Sequence, residues 1–327
     1  MRLSAIAAAF VAPLLLLPAW AIAQSAAGFP SKPVRVIVPQ APGGATDIQA
    51  RLFAAKLSQN LGQQFIVDNR AGGGAAVIVA LTTAAKAAPD GHTLLAVVPS
   101  FTFSPALFKD FPVDPMRDFA PVSLLTRAPY LLVVTNSLPV KSVKDLVAMA
   151  RAQPDKLSFG AGNTGSGTHL VTLWFLSAAG IKAVYVPYRS TGMAMLDLAA
   201  GRINATLANV LSSGPYVKQG RLRVLGISTA QRSRFMPELP TISEQGVSGY
   251  NASTFHGYAA PAGTPAAIIN KLSAEFAKVV QSPDLAERLS EDGGEPVGST
   301  PEQFRQFIAG EIQVWRKLVK ETGVKAE

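Results

Sequence analysis

The chain of 327 residues is 48% hydrophobic and 16% charged, which excludes an intrinsically disordered polypeptide and leaves enough apolar material for about two domains. Thirty Lys and Arg stand against twenty-one Asp and Glu, a formal charge of +9 that favours an anionic partner. The absence of cysteine excludes a disulfide framework, thiol catalysis and thiolate-bound metal, and His92, His169 and His256 are too widely spaced to form a helical zinc pair.

Met1-Arg2 is a short basic start, residues 5–17 form an apolar run, and Ala21-Ile22-Ala23 precedes Gln24. That order predicts a secretory signal peptide over 1–23 and a mature periplasmic chain from Gln24, since a run broken by Pro13 is shorter than the roughly 20 residues a membrane anchor needs. Residues 34–39 (VRVIVP) predict a strand, Gly43-Gly44 a turn, and Ile48, Leu52, Phe53, Leu57 and Leu61 one face of a helix. A strand at 64–68, a helix at 75–88, the turn Pro89-Asp90-Gly91 and a strand at 93–99 continue the alternation. Residues 100–120, with Pro105, Pro112 and Pro115, read as a loop-rich connection before strands at 122–126 and 130–135.

A second α/β unit follows: a helix capped by Ser142 and Asp145, then a strand at 157–161, a helix at 166–179, a strand at 184–187, a helix at 193–200, and strands at 203–208 and 222–228. Residues 250–263 read as a return crossing. Thr264-Pro265 and Thr300-Pro301 each predict a hydroxyl cap before a helix-starting proline, with Gln303 completing a capping box, and both helices are expected to pack on the first unit. The predicted architecture is α/β with two lobes, each a mostly parallel sheet flanked by helices: residues 24–128 and 255–327 form one lobe, 129–254 the other. Two crossing strands then make a hinge over a cleft, where a ligand belongs.

Two loops carry candidate chemistry. Gln40, Ala41, Gly43, Gly44, Thr46 and Asp47 lie where the first strand feeds a helix, the edge at which open α/β sheets bind ligands. Free N–H groups and the positive end of the helix suit a carboxylate or phosphate; an ordinary tight turn is the competing reading. Residues 160–169 (GAGNTGSGTH) contain G-x-G-x-x-G, but the next strand ends in Val186-Pro187-Tyr188-Arg189 without the acidic residue a ribose requires, so a dinucleotide is disfavoured. Asn163, Thr164, Ser166 and Thr168 offer short neutral donors for a small anion. His169 either donates to ligand or is a buried structural histidine, and Asn209 ends a strand at the cleft mouth. Scattered basic residues argue against nucleic acid, and no G-x-S-x-G elbow supports a serine hydrolase.

Several segments together resemble one family: Pro30-Ser31-Lys32-Pro33-Val34-Arg35-Val36-Ile37-Val38-Pro39 running into GGATD, Asp68-Asn69-Arg70, and Ala88-Pro89-Asp90-Gly91-His92-Thr93-Leu94-Leu95. Asp118-Phe119-Ala120-Pro121-Val122-Ser123, Val186-Pro187-Tyr188 and Ala260-Pro261-Ala262-Gly263-Thr264-Pro265 extend the likeness along the mature chain. The sequence is similar to the tripartite tricarboxylate transporter receptors, also called Bug proteins. That resemblance implies a type II periplasmic binding protein, not an enzyme, closing on a carboxylated solute without cofactor or metal. It also implies a monomer that delivers its solute to two membrane permease subunits. By the same resemblance Gln40 to Asp47 face Asn163, Thr164, Gly165, Ser166, Thr168 and His169 across the ligand carboxylate, partly through water. Ser100-Phe101-Thr102-Phe103 stands where family members often carry small polar residues, and Phe255-His256 lies at the return crossing; this extra aromatic surface leans the expectation toward an aromatic acid such as a phthalate, with Phe101 against the ring. Packing of Phe101 and Phe103 on the proline-rich connection stays open, as do an aliphatic di- or tricarboxylate, a sensor role before a kinase ectodomain, and an exported hydrolase using Ser166 and His169.

Overall fold

The computed structural model describes residues 26–323, apart from 41, 43, 44, 71–74, 163, 164 and 292. The predicted signal segment lies outside the described residues. Among the described residues no helix is long and apolar enough to cross a membrane.

The chain runs β1 (Val34–Val38), α1 (Ala45–Leu61), β2 (Phe65–Asn69), α2 (Ala75–Ala85), β3 (Thr93–Val97), α3 (Ser100–Leu107) and β4 (Phe119–Thr135). It continues through α4 (Val143–Ala152), β5 (Ser158–Ala161), α5 (Gly167–Ala179), β6 (Val184–Pro187), α6 (Thr191–Ala199), β7 (Ala205–Asn209), α7 (Val210–Lys218) and β8 (Leu222–Ile227). It ends with β9 (Ser253–Pro261), α8 (Ala266–Val280), α9 (Pro283–Glu291), β10 (Glu295–Pro296) and α10 (Pro301–Thr322).

The fold is two-lobed α/β. In the first lobe β2, β1 and β3 are parallel, and the returning β9 pairs antiparallel with β3. In the second, β6, β5 and β7 are parallel. Strand β4 belongs to both: residues 119–129 pair with β9, whereas residues 130–135 pair with β7 and β8. The sequence predicts two strands here, at 122–126 and 130–135, and Pro121 and Pro129 indeed lack ladder N–H groups. The structure keeps one, and register shifts along its β9 side, one of them just after Pro121, break the regular ladder.

Apolar spacing becomes packing on both faces of each sheet. Phe53 and Leu57 of α1 meet Tyr258 of β9 and Phe276 of α8, with Phe53 edge-on to both rings at 6.3 and 6.1 Å. Each fully buried side chain of this size contributes about 1.5–3 kcal/mol.

The 100–120 stretch opens with the helix α3 (Ser100–Leu107) where only a loop-rich connection was expected, and residues 108–118 remain irregular. Thr102 Oγ1 donates to Pro99 O, and the apolar residues of α3 point two ways: Phe101 into the first lobe, Phe103 and Leu107, spaced i and i+4, into the core that continues into the second lobe. Helix α10 straddles in the same manner, so the expectation that it packs on the first lobe alone is corrected. Its Phe304, Ile308 and Ile312 join one core and its Trp315 and Leu318 the other. The Thr300–Gln303 capping box forms with both reciprocal bonds. Thr264 does not cap α8; its hydroxyl donates to Pro261 O, and Pro265 occupies the cap position.

Candidate functional site

A cavity of about 470 Å³ lies between the lobes, walled almost entirely by the points where strands become helices. Gln40 and Thr46 come from the β1–α1 turn, Pro99 and Ser100 from the start of α3, and Gly162, Ser166 and Thr168 from the β5–α5 turn. Ser190, Thr191 and Gly192 come from the start of α6, and Asn209, Leu211 and Ser212 from the start of α7. The crossing strands supply Tyr130 from β4 and Thr254 and His256 from β9. Five helix N-termini therefore converge on one space, and among the described residues none of its lining is Lys, Arg, Asp or Glu. Unsatisfied N–H groups and the positive ends of the helix dipoles draw an anion there without a formal cation. A second hollow, of about 500 Å³, is lined by Phe108, Phe111 and Arg316 among others and takes no residue from these turns.

The β5–α5 turn is braced from below. Ser166 is the N-cap of α5, its Oγ accepting the His169 N–H at 3.2 Å. Thr168 Oγ1 accepts the Gly162 N–H at 3.0 Å and lies 3.2 Å from Ser166 Oγ and 3.4 Å from Thr191 Oγ1, so three hydroxyls cluster on the wall. A Cβ on Gly162 would lie 2.9 Å from Ser166 Oγ, and Gly165 has φ +79°, so both positions call for glycine. His169 sits beneath this turn rather than in the cavity lining. It is buried, its Nδ1 accepts the Gly165 N–H at 3.0 Å, and its ring lies 4.4 Å from that of Tyr185, whose hydroxyl donates to Gly162 O. Ser166 Oγ is thus linked to His169 through its backbone N–H, while the ring Nδ1 is held by the Gly165 N–H.

The other predicted residues divide. Gln40, Thr46, Ser100, Ser166, Thr168 and Asn209 share the cavity wall. Ala41, Gly43, Gly44, Asn163 and Thr164 lie outside the described residues. Asp47 is buried and turned to Arg51, an i,i+4 ion pair at 2.9 Å, where a carboxylate in the cavity would repel an anionic ligand. Phe101 and Phe255 are corrected: neither lines the cavity. Phe101 is 1% exposed and edge-on to Phe119 at 5.2 Å; Phe255 is fully buried against Phe307 at 4.8 Å. Because α3 is a helix, only its first residue, Ser100, reaches the wall. Because β9 alternates, Thr254 and His256 face the cavity and Phe255 faces the core.

Sequence reasoning missed Tyr130, Thr254, His256 and the Ser190-Thr191-Gly192 turn. The last was within reach, since it also follows a strand and opens a helix, with Ser190 Oγ accepting the Met193 N–H. Asn209 Oδ1 is buried on the wall with no hydrogen-bond partner among the described residues, an acceptor left for a ligand or water. Among the described residues no three His, Asp or Glu side chains group as a metal site.

Burial pushes both His169 and His256 down from 6.5 to about 4. An unfolded chain binds these protons more readily, so stability is full above pH 6.5 and falls as pH drops toward 4. Urea midpoints should therefore decline from pH 7 to pH 4.5, and less steeply in His169→Gln; equal slopes would contradict the burial of His169.

Residues 49–324 match the family model described as "Tripartite tricarboxylate transporter family receptor". Protein BugT of Bordetella pertussis is 36% identical over 303 residues, 92% of this chain and 92% of BugT. The solved structure "R. palustris Rpa4515 with adipate" has a TM-score of 0.81 and 37% identity, covering 91% of this chain and 99% of that one. MatC (Rpa3494) from Rhodopseudomonas palustris with bound malate has a TM-score of 0.77 and 31% identity, covering 89% and 100%.

Proposed function

This chain belongs to the tripartite tricarboxylate transporter family of receptors, and on that premise we propose that it captures a small dicarboxylate in the interlobe cavity and delivers it to two membrane permease subunits. The family is one of substrate-binding receptors. The observation that carries the reading is the convergence of five helix N-termini on a wall of neutral hydroxyls and amides, which holds an anion by charge-assisted hydrogen bonds instead of a buried salt bridge. An aliphatic dicarboxylate is favoured over an aromatic one. Relatives 37% and 31% identical carry adipate and malate, while the phenylalanines that argued for a ring lie in the core. Lobe limits at 128/129 and 254/255 belong to the same proposal, supported by the change of β4 partners after Pro129 and by the start of β9 at Ser253.

A thermal-shift series of aliphatic and aromatic mono-, di- and tricarboxylates tests the proposal. A bound acid at 100 times its Kd stabilises by about 2.7 kcal/mol. Ser166→Ala and Thr191→Ala should each weaken the best acid by about 0.5–3 kcal/mol, roughly 2- to 150-fold, measured by calorimetry well below the melting temperature because Ser166 also caps α5. Unchanged affinity in both variants would remove this wall from the binding site.

A further inference from the structure

We propose that His256 is the counter-ion of the cleft: it takes up a proton as a carboxylate enters, so that ligand capture is coupled to protonation. The inference rests on the carboxylate reading above and adds a regulation to it. Among the described residues His256 is the one lining residue that can become a cation, since that wall holds no Lys or Arg. The loop residues at 41, 43, 44, 163 and 164 are Ala, Gly, Gly, Asn and Thr, which carry no charge.

The ring is built to exist in both forms. Its Nε2 lies 3.1 Å from Thr46 Oγ1 and its Nδ1 3.4 Å from Thr126 Oγ1, and Thr126 Oγ1 can donate onward to Gln49 Oε1 at 3.3 Å. A threonine hydroxyl donates or accepts by rotating. The neutral ring can therefore receive one hydroxyl proton, and the doubly protonated ring can donate to both oxygens, with no atom relocated.

Among the described residues no charge acts on the empty ring; burial alone sets its state. From α1 the nearest charges, Asp47 and Arg51, are paired with each other. From β4, Arg127 is stacked over the Phe307 ring at 5.2 Å. Strand β7 and helix α7 present neutral Asn209, Leu211 and Ser212, and Tyr130 is a buried phenol held protonated. Burial accordingly keeps the empty ring neutral, down to about 4. Among the described residues a ligand carboxylate is then the first uncompensated ion the ring meets, and at close range an opposite charge shifts this titration by about 2–3 units, the upper part of the usual range. The proton comes from solvent, binds whichever ring nitrogen lacks one, and the pair leaves the cavity neutral. By linkage, affinity rises as pH falls through the titration of the complex.

The test is calorimetry with adipate and with malate at pH 8 and pH 6, in two buffers of different ionisation enthalpy, on the native protein, His256→Gln and His256→Asn. In the native protein Kd should tighten about 2- to 10-fold at pH 6, with fractional proton uptake that changes the observed heat between buffers. The variants should bind without that uptake and without that slope. A native protein that binds either acid with no proton uptake overturns the inference and leaves the receptor reading intact, and the same slope in His256→Gln does likewise. Failure of both acids to bind the native protein at either pH overturns the two readings together. Should the variants not fold, the imidazole NMR titration of native His256 decides alone: an unchanged midpoint on saturation with acid overturns the proposal, and a raised one supports it.

Discussion

Phe101→Ala should cost about 3–5 kcal/mol of stability and leave the ratio of affinities for aromatic and aliphatic acids unchanged. The ring is 1% exposed and shares a core with Leu95, Val97, Phe119, Phe304 and Ile308, so truncation removes its transfer free energy and leaves a cavity walled by β-strands that cannot collapse into it. Its edge-on contact with Phe119 adds about 0.5–1.5 kcal/mol beyond area. Urea denaturation checks the first half of the expectation, and competition calorimetry with a benzene carboxylate and a C4 or C6 aliphatic diacid checks the second. A stability loss under about 1 kcal/mol together with selective loss of the aromatic acid would return Phe101 to the ligand.

Why the sequence misplaces Phe101 is a matter of geometry. Residues 93–99 read as a strand, and a residue two positions beyond a strand end emerges at the ligand edge if the chain stays extended. It turns instead, with the Phe101 N–H donating to Val98 O at 2.8 Å, and a helical step of about 100° swings the ring inward. Phe255 fails by parity: in Thr254-Phe255-His256 the strand alternates, and choosing by aromatic type selects the core-facing member. The β1–α1 and β5–α5 turns were legible because glycine, hydroxyl caps and apolar periodicity all coincide there. His256 was not, because only the pairing of β9 with β4 and the approach of α1 bring Thr126 and Thr46 to its two nitrogens, contacts spanning 130 and 210 residues. The same limit applies to α10: its apolar stripe tells that one face is buried, and the fold alone tells that the stripe is shared between two cores.

That shared stripe carries the other large expected effect. Trp315→Ala should cost about 3–5 kcal/mol, and the loss should fall unevenly on the lobes. Trp315 is 2% exposed, edge-on to Phe103 of α3 at 5.8 Å and to Trp174 of α5 at 5.9 Å, and its Nε1 donates to Glu311 at 3.1 Å. Glu311 is itself pushed up by burial, against the lowering by that bond and the Arg127 charge, so losing the indole leaves a buried carboxyl with one donor fewer. Phe304 and Ile308, about three and two turns earlier, keep their own core with Phe255 and are untouched. The C-terminal turns of α10 therefore detach from the second lobe while the N-terminal turns stay docked on the first. Calorimetric melting should then split, with the second-lobe transition moving to lower temperature and the first-lobe transition nearly fixed. Trp315→Phe, which keeps a ring and deletes the donor, should cost only about 1–3 kcal/mol and preserve a single transition. A Trp315→Ala protein that melts within about 1 kcal/mol of native, or whose lobes shift together, would show that α10 does not tie the second lobe through this ring.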